Sequence, residues 1–150
     1  MTDTDDREQE AKRHAERFQR VREAHQTELA EDYVELIARL IDETGEARVV
    51  DLAVWLGVTN ATVNNTVQRL QRDGLVTTKP YRSIFLTEAG RELAESSHQR
   101  HILVRDFLLA LGVGEETAEA DAEGIEHHVS AETLTAFRRH LKAIKSRKGN

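Results

Sequence analysis

The sequence predicts a mainly α-helical protein built as an N-terminal winged helix-turn-helix domain followed by a C-terminal helical domain. Three observations carry this reading. Apolar residues recur at helical spacing over long stretches interrupted by a single proline. A short apolar helix, a glycine turn and a second helix are followed by two short strand-like runs. Near the end, Glu123-Gly124-Ile125-Glu126-His127-His128 sets carboxylates and imidazoles at helical spacing.

Residues Met1 to about Ala15 are polar and charged without apolar periodicity, which predicts a mobile or loosely helical start within a flexible extension over 1–22. From Glu16 to Glu43 the positions Phe18, Val21, Leu29, Tyr33, Leu36, Ile37, Leu40 and Ile41 fit one amphipathic helix, which Gly45 ends. The DNA-binding domain is expected over 23–90. Within it Val49–Val58 reads as a short helix stopped at Gly57, and Thr59–Leu70 as a second helix burying Val63, Val67 and Leu70. Its exposed positions Thr59, Asn60, Thr62, Asn64 and Asn65 carry small polar side chains suited to hydrogen-bonding base edges or phosphates in a groove. Asp73-Gly74 breaks the helix. Leu75–Lys79 and Ser83–Leu86 then read as strands of a wing around Pro80-Tyr81-Arg82, with Lys79, Tyr81 and Arg82 placed to touch a DNA backbone. Trp55 reads as a packing residue between helices.

Thr87 is a suitable N-cap for a helix to Leu111, with Gly112 beyond its end. A helix from Glu115 to His128 follows, then one capped by Ser130 and running through Phe137 and Leu141. These make a helical domain over 91–141, and 142–150 reads as a frayed basic tail.

Composition narrows the chemistry. Charged residues make up 32% of the 150 positions against 39% hydrophobic, with no cysteine, so disulfides, thiolate nucleophiles and iron–sulfur ligation are excluded. Any metal must be held by oxygen and nitrogen. No apolar run reaches the roughly 18 residues of a membrane span, and the charged N-terminus does not resemble a signal peptide, so the expectation is a cytoplasmic protein with no membrane partner. The net charge is −6, yet between Ala47 and Arg91 six basic residues face three acidic ones, leaving a basic segment within an acidic chain.

On a helix, Glu123, Glu126 and His127 fall within about a third of the circumference and converge on one point. Three ligands do not complete the shell of a divalent ion, so others must come from elsewhere. Asp32 and Glu35 lie i, i+3 on the flank of the first helix away from its apolar stripe. His98 and His101 lie i, i+3 on the middle helix, His101 at the edge of the stripe formed by Leu93, Val104, Leu108 and Leu111, and His98 further out. A solvated acidic face is the plain alternative, since Glu116 and Glu119 extend it. A di-metal carboxylate oxidase is a second, although the sequence lacks paired Glu-x-x-His motifs on two bundle helices. A winged-helix regulator sensing an organic ligand, with the acidic cluster incidental, is a third.

Over roughly Glu23 to Phe137 the sequence resembles the diphtheria-toxin-repressor family of metal-dependent transcriptional repressors, in its manganese-responsive branch. The resemblance is carried by Glu31-Asp32-Tyr33-Val34-Glu35, Gly45-Glu46-Ala47-Arg48, Arg100-His101, Phe107-Leu108, Leu111-Gly112-Val113 and, above all, Glu123–His128. It implies a homodimer on double-stranded operator DNA, a C-terminal dimerisation domain, and two Mn2+ ions per subunit at the domain junction. It further implies Asp32, Glu35, His101, Glu123, Glu126 and His127 as ligands, deciding for His101 over His98 and His127 over His128. Iron-responsive relatives carry sulfur where Glu126 stands. The second helix departs from the family pattern near Asn65, where relatives carry a lysine or glutamine, which leaves the operator open.

Overall fold

A computed structural model describes residues 3–79 and 83–149. The order is α1 (Asp3–Thr44), α2 (Val49–Leu56), α3 (Asn60–Arg72), β1 (Val76–Thr78), β2 (Ile84–Leu86), α4 (Glu88–Ala110), α5 (Glu115–Ile125) and α6 (Ala131–Lys148). The core of the N-terminal half forms where the apolar stripe of α1, Tyr33, Val34, Ile37 and Leu40, meets Leu52 of α2, Val63, Val67 and Leu70 of α3, and Val76, Ile84 and Leu86 of the hairpin. Burying each large aliphatic side chain contributes about 1.5–3 kcal/mol.

The first helix starts at Asp3 and not near Glu16, so the expected loose extension is continuous with α1. Residues 4–23 are exposed all round: up to Ala15 no apolar stripe marked them, and Phe18 and Val21, expected on the buried stripe, stay on the surface because, among the described residues, no other element packs over this part of α1. Their helicity follows from strong helix formers, Glu, Arg, Gln and Ala, and from contacts one turn apart. Gln19 Nε2 donates to Glu23 Oε1 at 3.0 Å and Arg22 Nη2 to Gln19 Oε1 at 2.8 Å.

The helix-turn-helix forms as expected. Gly57 takes a left-handed φ of 65° that turns the chain out of α2, and the Thr59 hydroxyl accepts from Thr62 N at 3.1 Å to cap α3. The strands are three residues each, antiparallel, pairing Val76 with Leu86, Thr77 with Phe85 and Thr78 with Ile84. The expected wing tip, Pro80-Tyr81-Arg82, lies outside the described residues. Three bonds anchor the hairpin at its root. Ile84 N donates to Ala47 O at 2.9 Å, Ser83 Oγ to Glu46 Oε1 at 2.5 Å, and Thr87 Oγ1 to Gly74 O at 2.6 Å. Trp55 does not fill the core: it is half exposed, with the Arg39 guanidinium 4.6 Å from its ring centre.

Thr87 caps α4, accepting from Gly90 N at 3.1 Å. The helix α4 packs against α1, α5 and α6 and so joins the two halves. The next helix is shorter than expected: α5 ends at Ile125, and Glu126–His128 form a turn. Ser130 caps α6 at 3.2 Å from Thr133 N, and Phe137 stacks on Phe107 of α4 with centroids 4.1 Å apart. The basic tail continues α6 to Lys148, because Lys145, Arg147 and Lys148 sit in the last turn, where cations favour the helix dipole.

Gly90 is the tightest joint. A Cβ there would stand 2.0 Å from Leu75 O, a backbone atom with no freedom to yield. Gly90→Ala is therefore expected to destabilise the fold by about 3 kcal/mol, read as a lowered midpoint in chemical denaturation; an unchanged midpoint would show that the α4 start does not press on the wing.

Candidate metal centre and nucleic-acid interface

The stripe that buries Tyr33 and Ile37 leaves Glu28, Glu31, Asp32 and Glu35 on the side of α1 that faces α4 and the end of α5. Three groups of ligand-type atoms result among the described residues, two of them built on the expected ligands. In the first, His101, Glu123 and Glu126 each bring one atom within 4.8 Å of the others, with His101 Nδ1 3.5 Å from Glu123 Oε1. In the second, Asp32 and His127 meet with Glu28 in the same way, and His127 Nε2 lies 3.0 Å from Asp32 Oδ1. The groups are linked, since His127 Nε2 is also 3.4 Å from Glu126 Oε1. Glu35 lines the same cavity as Asp32, His101 and Glu123.

The expected convergence of Glu123, Glu126 and His127 on one point is thus divided. Because α5 stops at Ile125, the turn presents His127 to α1, whereas Glu123 keeps to the helix and meets His101 on α4. His98 is exposed at the cavity edge, and His128 is drawn to Glu28 at 3.2 Å.

Among the described residues, six buried side-chain polar atoms make no well-formed hydrogen bond, and five of them belong to these residues: Glu35 Oε1, His101 Nδ1, both oxygens of Glu126, and His127 Nε2, which instead faces Asp32 in the ion-pair contact of 3.0 Å. Each such atom costs about 1–3 kcal/mol when left unpaired in the interior. Their concentration at one junction, with oxygen and nitrogen donors only, fits a hard or borderline divalent cation.

The other ring nitrogens are already engaged. His101 Nε2 is 2.6 Å from Glu119 Oε1, and Arg105 stands 3.7 Å from the other Glu119 oxygen. His127 Nδ1 is 2.9 Å from Glu31 Oε2, which also pairs with Arg100. Carboxylates in this place fix the tautomer and aim the free nitrogen of a ligating histidine. Glu31, Glu119, Arg100 and Arg105 were not among the expected site residues. Glu31 and Arg100 stand in stretches that carry the family resemblance without a role having been assigned to them, and Glu119 lies one turn before Glu123 on the face otherwise read as solvated.

Electrostatics follow the geometry. Burial, with Glu35 and Glu123 as neighbouring carboxylates, pushes the Glu126 carboxyl up to about 8. Burial and the repulsion of Glu123 also raise Glu35. For His127, burial disfavours the charged ring, but Asp32, Glu31 and Glu126 outweigh it and push its pKa up to about 10. Burial would raise Glu31, yet His127 and Arg100 hold it below the usual carboxylate range.

At the other end, Thr59, Asn60, Thr62, Asn64 and Asn65 are all exposed on α3. Two of them are occupied locally, the Thr59 and Thr62 hydroxyls lying 3.0 Å apart within the cap. Gln68, Arg69 and Arg72 are exposed further along the helix and were not among the expected contacts. Lys79 is exposed beside the wing with its ammonium 5.0 Å from the Phe85 ring centre. Tyr81 and Arg82 lie outside the described residues.

Known proteins resemble this chain in sequence and fold. Residues 25–84 match the iron-dependent repressor N-terminal DNA-binding domain, and residues 87–148 its metal-binding and dimerisation domain. The chain is 56% identical over 125 residues to the transcriptional regulator MntR of Escherichia coli O6:H1, covering 83% of this chain and 81% of that protein. It is 55% identical over 124 residues to MntR of Salmonella typhimurium, covering 83% and 79%. Among solved structures it resembles the manganese regulator SloR, with a TM-score of 0.67, 26% identity, and coverage of 75% of this chain and 53% of that one. The chain therefore spans about half the length of that structural relative. Its relatives are transcriptional regulators, which sets the oxidase alternative aside. The chain belongs to the iron-dependent repressor family.

Proposed function

We propose that this chain is a manganese-responsive transcriptional repressor that binds operator DNA as a homodimer, with Asp32, Glu35, His101, Glu123, Glu126 and His127 holding two Mn2+ ions per subunit at the junction of reader and dimeriser. The observation that supports it most directly is the set of buried donors without a well-formed hydrogen bond shared by α1, α4 and the end of α5. The family's two domains and the manganese regulators among its relatives support the rest. Among the described residues no helix is long and apolar enough to cross a membrane.

A bound divalent ion supplies positive charge and directional coordination. Without it, Glu35, Glu123 and Glu126 repel one another across the contact of α1 with α4 and α5, and burial with this repulsion raises the pKa of Glu35 and Glu126. Asp32 and Glu35 belong to the helix whose next turns form the DNA-reading core, while Glu123, Glu126 and His127 belong to the dimerising half. Holding these carboxylates together fixes α1 against α4 and α5, and in a dimer this sets two α3 helices at the spacing of successive major grooves. Manganese lies at the bottom of the divalent affinity series, so selection rests on hard donors, geometry and supply. Glu31 and Glu119 aim the His127 and His101 rings. Asn60, Asn64 and Asn65 of α3, with Lys79 beside the wing, contact DNA, joined by Arg69 and Gln68 on the exposed face of α3 and, from their sequence position, by Tyr81 and Arg82.

Two outcomes test this. In gel-shift titrations of operator DNA, Mn2+ is expected to tighten binding at least roughly tenfold, a coupling of about 1.4 kcal/mol, and Glu126→Ala to abolish the response with helicity intact; equal affinity with and without the ion, or a responsive Glu126→Ala protein, would contradict the proposal. At pH 7 Glu126 and His127 both carry protons that ligation must displace. Calorimetric Mn2+ titration in buffers of differing ionisation enthalpy is therefore expected to show about two protons released per subunit, and affinity to climb as pH rises toward about 8. Binding without proton release would remove these two groups from the ligand set. In the metal-free protein the sign is opposite for stability: Glu126 binds its proton more tightly folded than unfolded, so its contribution falls as pH rises from about 4.5 to about 8.

A further inference from the structure

Next to the six-residue set, on its solvent side, α1 and the turn after α5 place a nitrogen-rich group that the function above does not use. His25 Nδ1 lies 3.4 Å and His128 Nε2 3.2 Å from the same oxygen of Glu28, Oε2. The two rings meet edge to face with centroids 4.8 Å apart. One ligand atom from each of the three residues falls within 4.8 Å of the other two. Donors around a tetrahedral zinc ion, with bonds of about 2.0–2.1 Å, stand about 3.3 Å apart. The measured separations of 3.2 and 3.4 Å bracket that edge.

We propose that His25, Glu28 and His128 form a further divalent-metal site of two imidazoles and one carboxylate, adjoining the Asp32 and His127 pair through Glu28 and suited to a late first-row ion such as Zn2+. Imidazole-rich sets suit zinc, copper and nickel, and the intrinsic affinity series climbs away from manganese toward them. The carboxylate-rich set inside and this site outside therefore differ in the ion they prefer. Their structural effect is shared: both connect α1 to the segment beyond α5, so an ion at His25, Glu28 and His128 braces the same junction from its surface. With the His25 side chain 63% exposed and those of Glu28 and His128 29% and 31% exposed, the site is reachable by an ion, and His25 is replaceable without a core defect. The inference does not depend on which ion the inner residues hold.

The test is Zn2+ uptake by the full chain, measured by equilibrium dialysis and metal analysis, in wild type, His25→Ala, Glu126→Gln and the double variant, with helicity followed by circular dichroism. His25→Ala is expected to hold one Zn2+ per subunit fewer than wild type, and the same difference of one is expected between the double variant and Glu126→Gln. Equal uptake by wild type and His25→Ala would overturn the site, as would a difference that disappears in the Glu126→Gln background. Manganese-dependent operator binding by His25→Ala, followed in parallel, is expected to persist and separates this outcome from a failure of the inner site.

Discussion

Carboxylates packed where water does not reach them govern this molecule. Glu126 is almost completely buried, both its oxygens lack hydrogen-bond partners, and Glu35 and Glu123 add negative charge beside it. A hydrophobic core would not tolerate this arrangement for stability's sake, since burying unpaired charge or polar atoms is costly. The rest of the chain compensates locally. Arg100 and His127 neutralise Glu31, Arg105 and His101 steady Glu119, and these ring contacts leave one nitrogen of each histidine facing the unpaired oxygens. The junction is thereby prepared for positive charge at a position that joins two structural halves.

The fold distributes the consequences. The same helix that contributes Asp32 and Glu35 also supplies Tyr33, Val34, Ile37 and Leu40 to the winged-helix core. A change in how α1 sits against α4 and α5 is transmitted rigidly to α3, because that core interlocks α1 with α2, α3 and the hairpin. On the other side, α4 runs from the root of the wing, at Gly90 and Thr87, to the stack of Phe107 on Phe137. The continuous rod carries His101 partway along its length.

Much of this was legible in the residues. The stripe of α1 from Tyr33 to Leu40, the Gly57 turn and the caps Thr87 and Ser130 follow from local rules, and the structure forms them in place, while Thr59, read as an exposed position of the second helix, caps it instead. Two kinds of feature were not legible. The helix over residues 3–15 rests on intrinsic propensity and side-chain contacts one turn apart, so no apolar rhythm announces it. The end of α5 at Ile125 depends on where the chain must turn toward Ser130, and that turn, not helical spacing, decides that His127 faces α1. The supporting pairs Glu31 with Arg100 and Glu119 with Arg105 span elements far apart in sequence or sit on a face that reads as ordinary solvated surface.

The central claim is that the ligands on α1 and those beyond α5 act as one unit. Hydrogen-exchange mass spectrometry of the full chain, with and without Mn2+, tests this most directly. The account predicts that Mn2+ slows exchange together in residues 30–37 of α1 and in residues 119–128, with matching concentration dependence. Slowing confined to 119–128, with α1 unaffected at saturating ion, would contradict it.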